Sequence, residues 1–167
     1  GRMTRYDRAM VLARRGQVIT TIALVGLLGV FVRALMFTPI ERTQGPAQKI
    51  FYVHAPSAWA ALLAFAITGI LSLVYLWLKD RKIDAIAAAS AEVGLAFSVV
   101  MLTTGPIWGK TVWGTWWSWD ARLTSTMFLF LLFIGYRVLR GAIFDPETRA
   151  RYSAVIGILA LALVPFI

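Results

Sequence analysis

The chain has 167 residues, 59% of them apolar, with a mean hydropathy of +0.73 and a net charge of +9. So much apolar surface exceeds what a soluble domain of this size can bury, so the solvent of this fold is lipid. Cysteine is absent, which excludes disulfides, thiolate metal sites and attachment of a cofactor to this chain through C-x-x-C-H.

Gly1-Arg2 ahead of Met3 reads as an expression scar, and residues 1–16 as a basic cytoplasmic segment. The first apolar block, Gln17–Met36, is too long for a signal-peptide core and lacks a small-residue cleavage site, so it is expected to be retained. A loop over 37–56 carries Pro39, Gly45 and Pro46 and closes in F-Y-V-H-A-P, with Pro56 suited to open the next helix at its first turn. Three more blocks follow, Ser57–Leu78, Ala85–Thr104 and Arg122–Leu139, the last two separated by a second loop over 105–121. At 1.5 Å per residue these four blocks reach about 27 to 33 Å, the thickness of a hydrocarbon core. A fifth block, Tyr152–Ile167, reaches only about 24 Å. It reads as a broken span or as one truncated by the end of the sequence, and the apolar Pro-Phe-Ile terminus favours truncation. The expected fold is therefore an all-α integral membrane protein. It is a polytopic helical bundle with about five spans, forming a single membrane domain over 17–167 without internal repeats.

Basic residues orient the spans. Arg2, Arg5, Arg8, Arg14 and Arg15, then Lys79, Arg81 and Lys82, then Arg137, Arg140, Arg149 and Arg151 fall on one side; Arg42, Lys49 and Lys110 fall on the other. The asymmetry predicts a cytoplasmic N-terminus and external loops at 37–56 and 105–121. The positive charge is thus topology and contact with the lipid bilayer. It is not read as nucleic-acid binding, because the basic residues lie in three separate segments without interleaved aromatics.

Five of the seven tryptophans, Trp108, Trp113, Trp116, Trp117 and Trp119, lie between Trp108 and Trp119. An aromatic belt contributes one or two such residues per helix end, so this density exceeds anchoring and suits a planar aromatic ligand. Trp113, Trp116, Trp117 and Asp120 are spaced i, i+3, i+4 and i+7. A short helix there would show three indoles and a carboxylate on one face, with Trp119 pointing elsewhere. Gly109 and Gly114 would let a flat ligand approach the backbone.

His54 is the only histidine. Neutral imidazole is the commonest axial ligand of haem iron, but at a membrane surface the plainer reading is a histidine bonded to a backbone carbonyl. The ligand reading requires the tryptophans to line the same pocket. Asp120 is placed to cap the fourth span, a role compatible with a second one. Arg122 and Lys110 are cations beside the aromatic stretch, able to pair with ligand carboxylates or with lipid phosphates. Glu92 is the one acidic residue near mid-span and reads as a packing or assembly contact, with nothing else ionisable at its depth.

The run W-G-T-W-W-S-W-D-A-R-L-T-S, Trp113 to Ser125, resembles the signature of haem-handling membrane proteins with a tryptophan-rich external loop, the WWD domain. With T-G-P-I-W-G-K at Thr104 to Lys110 and F-Y-V-H-A-P-S-A-W at Phe51 to Trp59, it is most similar to the haem exporter protein C (CcmC) family of bacterial cytochrome c maturation. Ala121-Arg122-Leu123-Thr124 after W-D sets it apart from cytochrome c synthases and haem lyases, which tend to carry proline and charged residues there. The resemblance implies a six-helix protein of the bacterial inner membrane that binds haem b on its external face and transfers it without bond chemistry. It would hand haem to a periplasmic chaperone of the CcmE type, beside a single-span subunit of the CcmD type and an ABC transporter pair of the CcmA and CcmB types. Carried over by position, His54 is the first axial ligand of the iron, and Trp108, Trp113, Trp116, Trp117, Trp119 and Asp120 belong to the haem loop, with Arg122 or Lys110 near the propionates. A second axial histidine is expected beyond Ile167. The competing readings are a haem lyase and a structural subunit anchored by its tryptophans.

Overall fold

The computed structural model describes residues 4–167, apart from the side chain of Arg5. The expression scar and the place of Arg2 in the basic tally lie outside the described residues. Five helices follow in order: α1 (Arg5–Phe37), α2 (Phe51–Leu78), α3 (Arg81–Trp113), α4 (Ala121–Ala142) and α5 (Pro146–Leu161), with short 3-10 helices at Pro46–Ile50 and Val164–Phe166. All five are long and apolar enough to cross a membrane. The chain is an all-α polytopic membrane protein.

The chain divides into two compact units, one up to Arg42 and one from Thr43 to Ile167. The first unit is α1, which starts at Arg5, well inside the segment expected to precede the first span. A reciprocal cap explains the early start: the Thr4 hydroxyl accepts from the Asp7 amide at 3.2 Å while Asp7 accepts from the Thr4 amide at 3.0 Å.

The second unit is built from two tight helix pairs. Lys79 takes a left-handed conformation (φ 55°) to end α2, and Asp80 at once caps α3 by accepting from the Lys82 amide at 2.8 Å. Asp145 starts α5 in the same way, accepting from Thr148 at 2.7 Å. Because α5 begins at Pro146, the fifth span covers 21 residues, Pro146–Phe166. Its first turns carry Arg149 and Arg151, ahead of the apolar block that begins at Tyr152.

Helix packing rests on small residues, since lipid supplies no hydrophobic drive between helices and close approach must supply the contact energy. Ala87, Ala91, Gly94 and Ser98 form a buried stripe on α3, and Ala150, Ala154, Gly157 and Ala160 one on α5. Helix α2 packs most extensively on α3 and α5, and α4 mainly on α5. Side chains bond across the α2–α3 seam: Ser90 donates to the Ala64 carbonyl at 3.0 Å and Thr68 to the Ala87 carbonyl at 3.3 Å. At the centre Phe65 stacks on Phe133, with ring centroids 3.9 Å apart, and a side chain at Gly94 would meet the Phe65 ring.

Glu92 corrects the reading from sequence. Its carboxylate pairs with Arg137 at 3.2 Å, so an ionisable partner does lie at its depth. Arg137 stands five residues inside the end of α4. A better-formed pair joins α3 to α4: Arg140 donates to both oxygens of Asp84, at 2.6 and 2.9 Å, with side chains only 10% and 13% exposed. Removing one partner of such a pair would strand a buried charge, typically at a cost of about 3–5 kcal/mol.

Candidate functional site

At the ends of α2 and α3 opposite the Lys79-Asp80 turn lies a cavity of about 800 Å³, within the range of small-molecule sites. His54, Trp108, Trp113, Trp116 and Trp117 line it together, with Asp120 and Arg122 at its rim. Met101, Leu62 and Leu63 extend its apolar wall, and Trp59, a tryptophan outside the sequence cluster, joins it from α2.

His54 belongs to the first turn of α2, which starts at Phe51 after the 3-10 helix. Pro56 is therefore inside the helix and does not open it. The 3-10 helix, with Pro46 in its first turn, already leads the backbone into register. The imidazole Nδ1 lies 3.0 Å from the Thr104 hydroxyl of α3, and the ring approaches Trp108 with centroids 5.8 Å apart. A Cβ at Gly105 would stand 3.0 Å from His54 Cε1, so the bare backbone there makes room for the ring. Thr104 and Gly105 open the T-G-P-I-W-G-K run. Their contacts with His54 join positions 50 residues apart, beyond the reach of local patterning.

Loop 105–121 is half helix: α3 runs on to Trp113, carrying Trp108, Gly109 and Lys110 with it. Gly114 (φ 79°) ends it, its amide bonding the Lys110 carbonyl at 3.2 Å. Gly109 is bare where the chain turns back past it: a Cβ there would lie 3.3 Å from the Thr115 carbonyl oxygen. The expected short helix over Trp113 to Asp120 does not form, because residues 114–120 have no helical structure after the glycine stop. The three indoles converge on the cavity by chain reversal instead of by helical spacing. Trp119 stands outside the lining and packs edge-on against Trp117 at 5.8 Å.

The polar groups divide. Asp120 caps α4, accepting from the Leu123 amide at 2.8 Å and from Ser118 at 2.9 Å; these two hydrogen bonds, led by that of Leu123, hold its carboxyl below the usual carboxylate value. Lys110 is not among the residues lining the cavity, and its Nζ donates to the Gly114 carbonyl at 2.9 Å. Arg122 stays with the cavity. Trp108 Nε1 donates to Gln44 at 3.1 Å, whereas Trp117 Nε1 is buried without a partner among the described residues. A buried N–H left so costs about 1–3 kcal/mol, which an acceptor on a bound molecule would offset.

The donor set suits a metal held in a macrocycle. Among the described residues no three His, Cys, Asp or Glu gather as a site for a bare ion. One imidazole beside a wall of indoles, with an indole N–H and a guanidinium at hand, matches an iron porphyrin with its acidic substituents.

The family model described as Heme exporter protein C matches residues 3–167. The chain is 37% identical to the heme exporter protein C of Bradyrhizobium diazoefficiens, over 87% of this chain and 55% of that protein. It is 39% identical to that of Rhodobacter capsulatus, over 78% and 54%, and 33% identical to that of Escherichia coli K12, over the same shares. The chain thus spans about half the length of the curated relatives it matches.

Proposed function

This chain belongs to the heme exporter protein C family, and we propose that it captures haem in the tryptophan-lined cavity and passes it on for cytochrome c maturation. The observation that carries the reading is that His54 and the indoles of Trp108, Trp113, Trp116 and Trp117 line one cavity. That was the condition under which the lone histidine ceases to be an interfacial residue.

In this reading haem is cargo. His54 ligates the iron, the indoles cover the porphyrin face, and Arg122 with Trp117 Nε1 meets the carboxylates. No bond of the porphyrin is made or broken, so the protein is a carrier and not an enzyme. A protein that must release what it binds is served by exchangeable nitrogen ligation and by stacking, which is tolerant of small displacements. The acceptor is a haem chaperone of the CcmE type, and the working assembly includes subunits of the CcmA, CcmB and CcmD types. The bacterial inner membrane is its place. The excess of basic residues at the opposite helix ends supports an external position for the tryptophans.

Haemin titration of the purified protein tests this. The His54→Ala variant should insert normally, bind haemin more weakly and lose the Soret signature of nitrogen ligation; an unchanged spectrum and affinity would return His54 to a structural role.

A further inference from the structure

The geometry assigns Thr104 as a positioning residue for His54, one that fixes the imidazole tautomer and leaves Nε2 as the nitrogen offered to iron. The assignment rests on the haem reading above and deepens it. Its starting point is the Thr104 hydroxyl, which has one proton and two strong neighbours. It lies 2.7 Å from the Val100 carbonyl one turn back and 3.0 Å from His54 Nδ1. A carbonyl can only accept, so the shorter contact takes the hydroxyl proton. Toward the ring the hydroxyl oxygen must then accept, which puts the imidazole proton on Nδ1. Neutral imidazole carries one N–H, so Nε2 keeps its lone pair.

Two further observations agree. The Met101 carbonyl is a second, backbone acceptor against the ring and also calls for a ring N–H, while His54 lines the cavity. Gly105, the next residue on α3, leaves only the room the ring occupies, with Cε1 3.0 Å and Nδ1 3.5 Å from where a Cβ would stand. Consecutive residues of α3 thus grip the imidazole, Thr104 by its hydrogen bond and Gly105 by contact. Because α3 also carries Trp108 and Trp113, the ligand nitrogen and the stacking wall are held in register by one helix. A hydroxyl acceptor raises imidazole basicity less than a carboxylate would, which keeps the bond to iron exchangeable.

The test combines isosteric and conservative variants in the full protein. Thr104→Val keeps the shape and removes the acceptor, and should weaken haemin affinity about 10- to 100-fold. It should also move the iron–histidine stretch in resonance Raman spectra of the reduced complex. Thr104→Ser, which keeps the oxygen, should restore both. In a His54→Ala background Thr104→Val should cause no further loss, since the two act as a unit. Without haem, the imidazole ¹⁵N resonances that disappear in His54→Ala should show the proton on Nδ1 in the wild type and shared with Nε2 in Thr104→Val.

A Thr104→Val protein with wild-type affinity and tautomer, alongside a His54→Ala protein that has lost haem, overturns this assignment and leaves the haem reading standing. Failure of Thr104→Ser to restore, or an equal loss with and without His54, makes Thr104 a packing residue and overturns it too. A His54→Ala protein that binds haemin like the wild type removes the haem reading itself.

Discussion

Gly105→Ala offers a perturbation whose effects on fold and on site can be separated. On the fold, two terms oppose each other. Alanine is favoured over glycine in a helix interior by about 1 kcal/mol, but the residue before Pro106 pays for a Cβ in helical conformation. The three atoms nearest the new methyl group all belong to the imidazole, so the change falls on the site and not on the core. On the site, the methyl would lie 3.0 Å from His54 Cε1, inside ordinary van der Waals contact, and the ring must retreat by a few tenths of an ångström. The Nδ1–Thr104 bond starts at 3.0 Å and reaches the edge of hydrogen bonding after such a shift. Losing that orientation should cost roughly tenfold in haemin affinity, about 1.4 kcal/mol. The assay pairs a haemin titration with thermal unfolding in detergent. Weakened binding at an unchanged midpoint is expected; wild-type affinity at an unchanged midpoint would refute the claim that Gly105 seats the ligand.

Three further outcomes follow from the same geometry. Replacing Trp113, Trp116 and Trp117 together by leucine keeps apolar bulk and removes the flat surfaces, and at about 1 kcal/mol per stacked ring should weaken haemin binding on the order of 100-fold with insertion intact; leucine variants that load the chaperone normally would show the indoles to be anchors. Asp120 has its carboxyl lowered by the Leu123 and Ser118 hydrogen bonds, so its contribution to the start of α4 is complete above the ordinary 3.8 and disappears as pH falls through the lower folded value. Tryptophan fluorescence of the wild type should therefore change on acidification below about pH 4, and that of Asp120→Asn, whose cap does not titrate, should lack this step. Because the chain has no cysteine, Thr115→Cys and Lys82→Cys give clean probes of orientation: an impermeant external reagent should label the first and spare the second, and the opposite pattern would put the cavity on the cytoplasmic side.

The spans were legible because twenty apolar residues in a row have few other uses, and Asp120 was legible as a cap because capping is decided within four residues. What the sequence hid has three physical origins. Polar or glycine-bearing turns that remain helical, such as Gly105–Trp113 and Pro146–Arg151, fall below a hydropathy threshold although their backbone bonds continue. The i, i+3, i+4 spacing of the tryptophans suggested one helical face, but Gly114 in a left-handed conformation ends the helix between the first and the second of them. Contacts between distant positions, His54 with Thr104 and Glu92 with Arg137, arise only when helices pack.

That packing also separates holding from releasing. The nitrogen proposed for iron is on α2, seated against α3 across the most extensive helix contact in the second unit, so it cannot move without disturbing the bundle. Trp116 and Trp117 instead lie on the segment after Gly114, which is kept in place by few bonds: Thr115 donating to the Trp117 carbonyl at 2.9 Å, Lys110 to Gly114, and the Asp120 cap at its far end. Segments held by a few side-chain bonds open at far lower free energy than packed helices. Displacement of this segment would open the cavity while the histidine kept its place, so a bound porphyrin would lose the contacts of Trp116 and Trp117 before its iron ligand. An acceptor that supplied its own ligand to the iron would then compete with nitrogen ligation and no longer with the indoles of this segment.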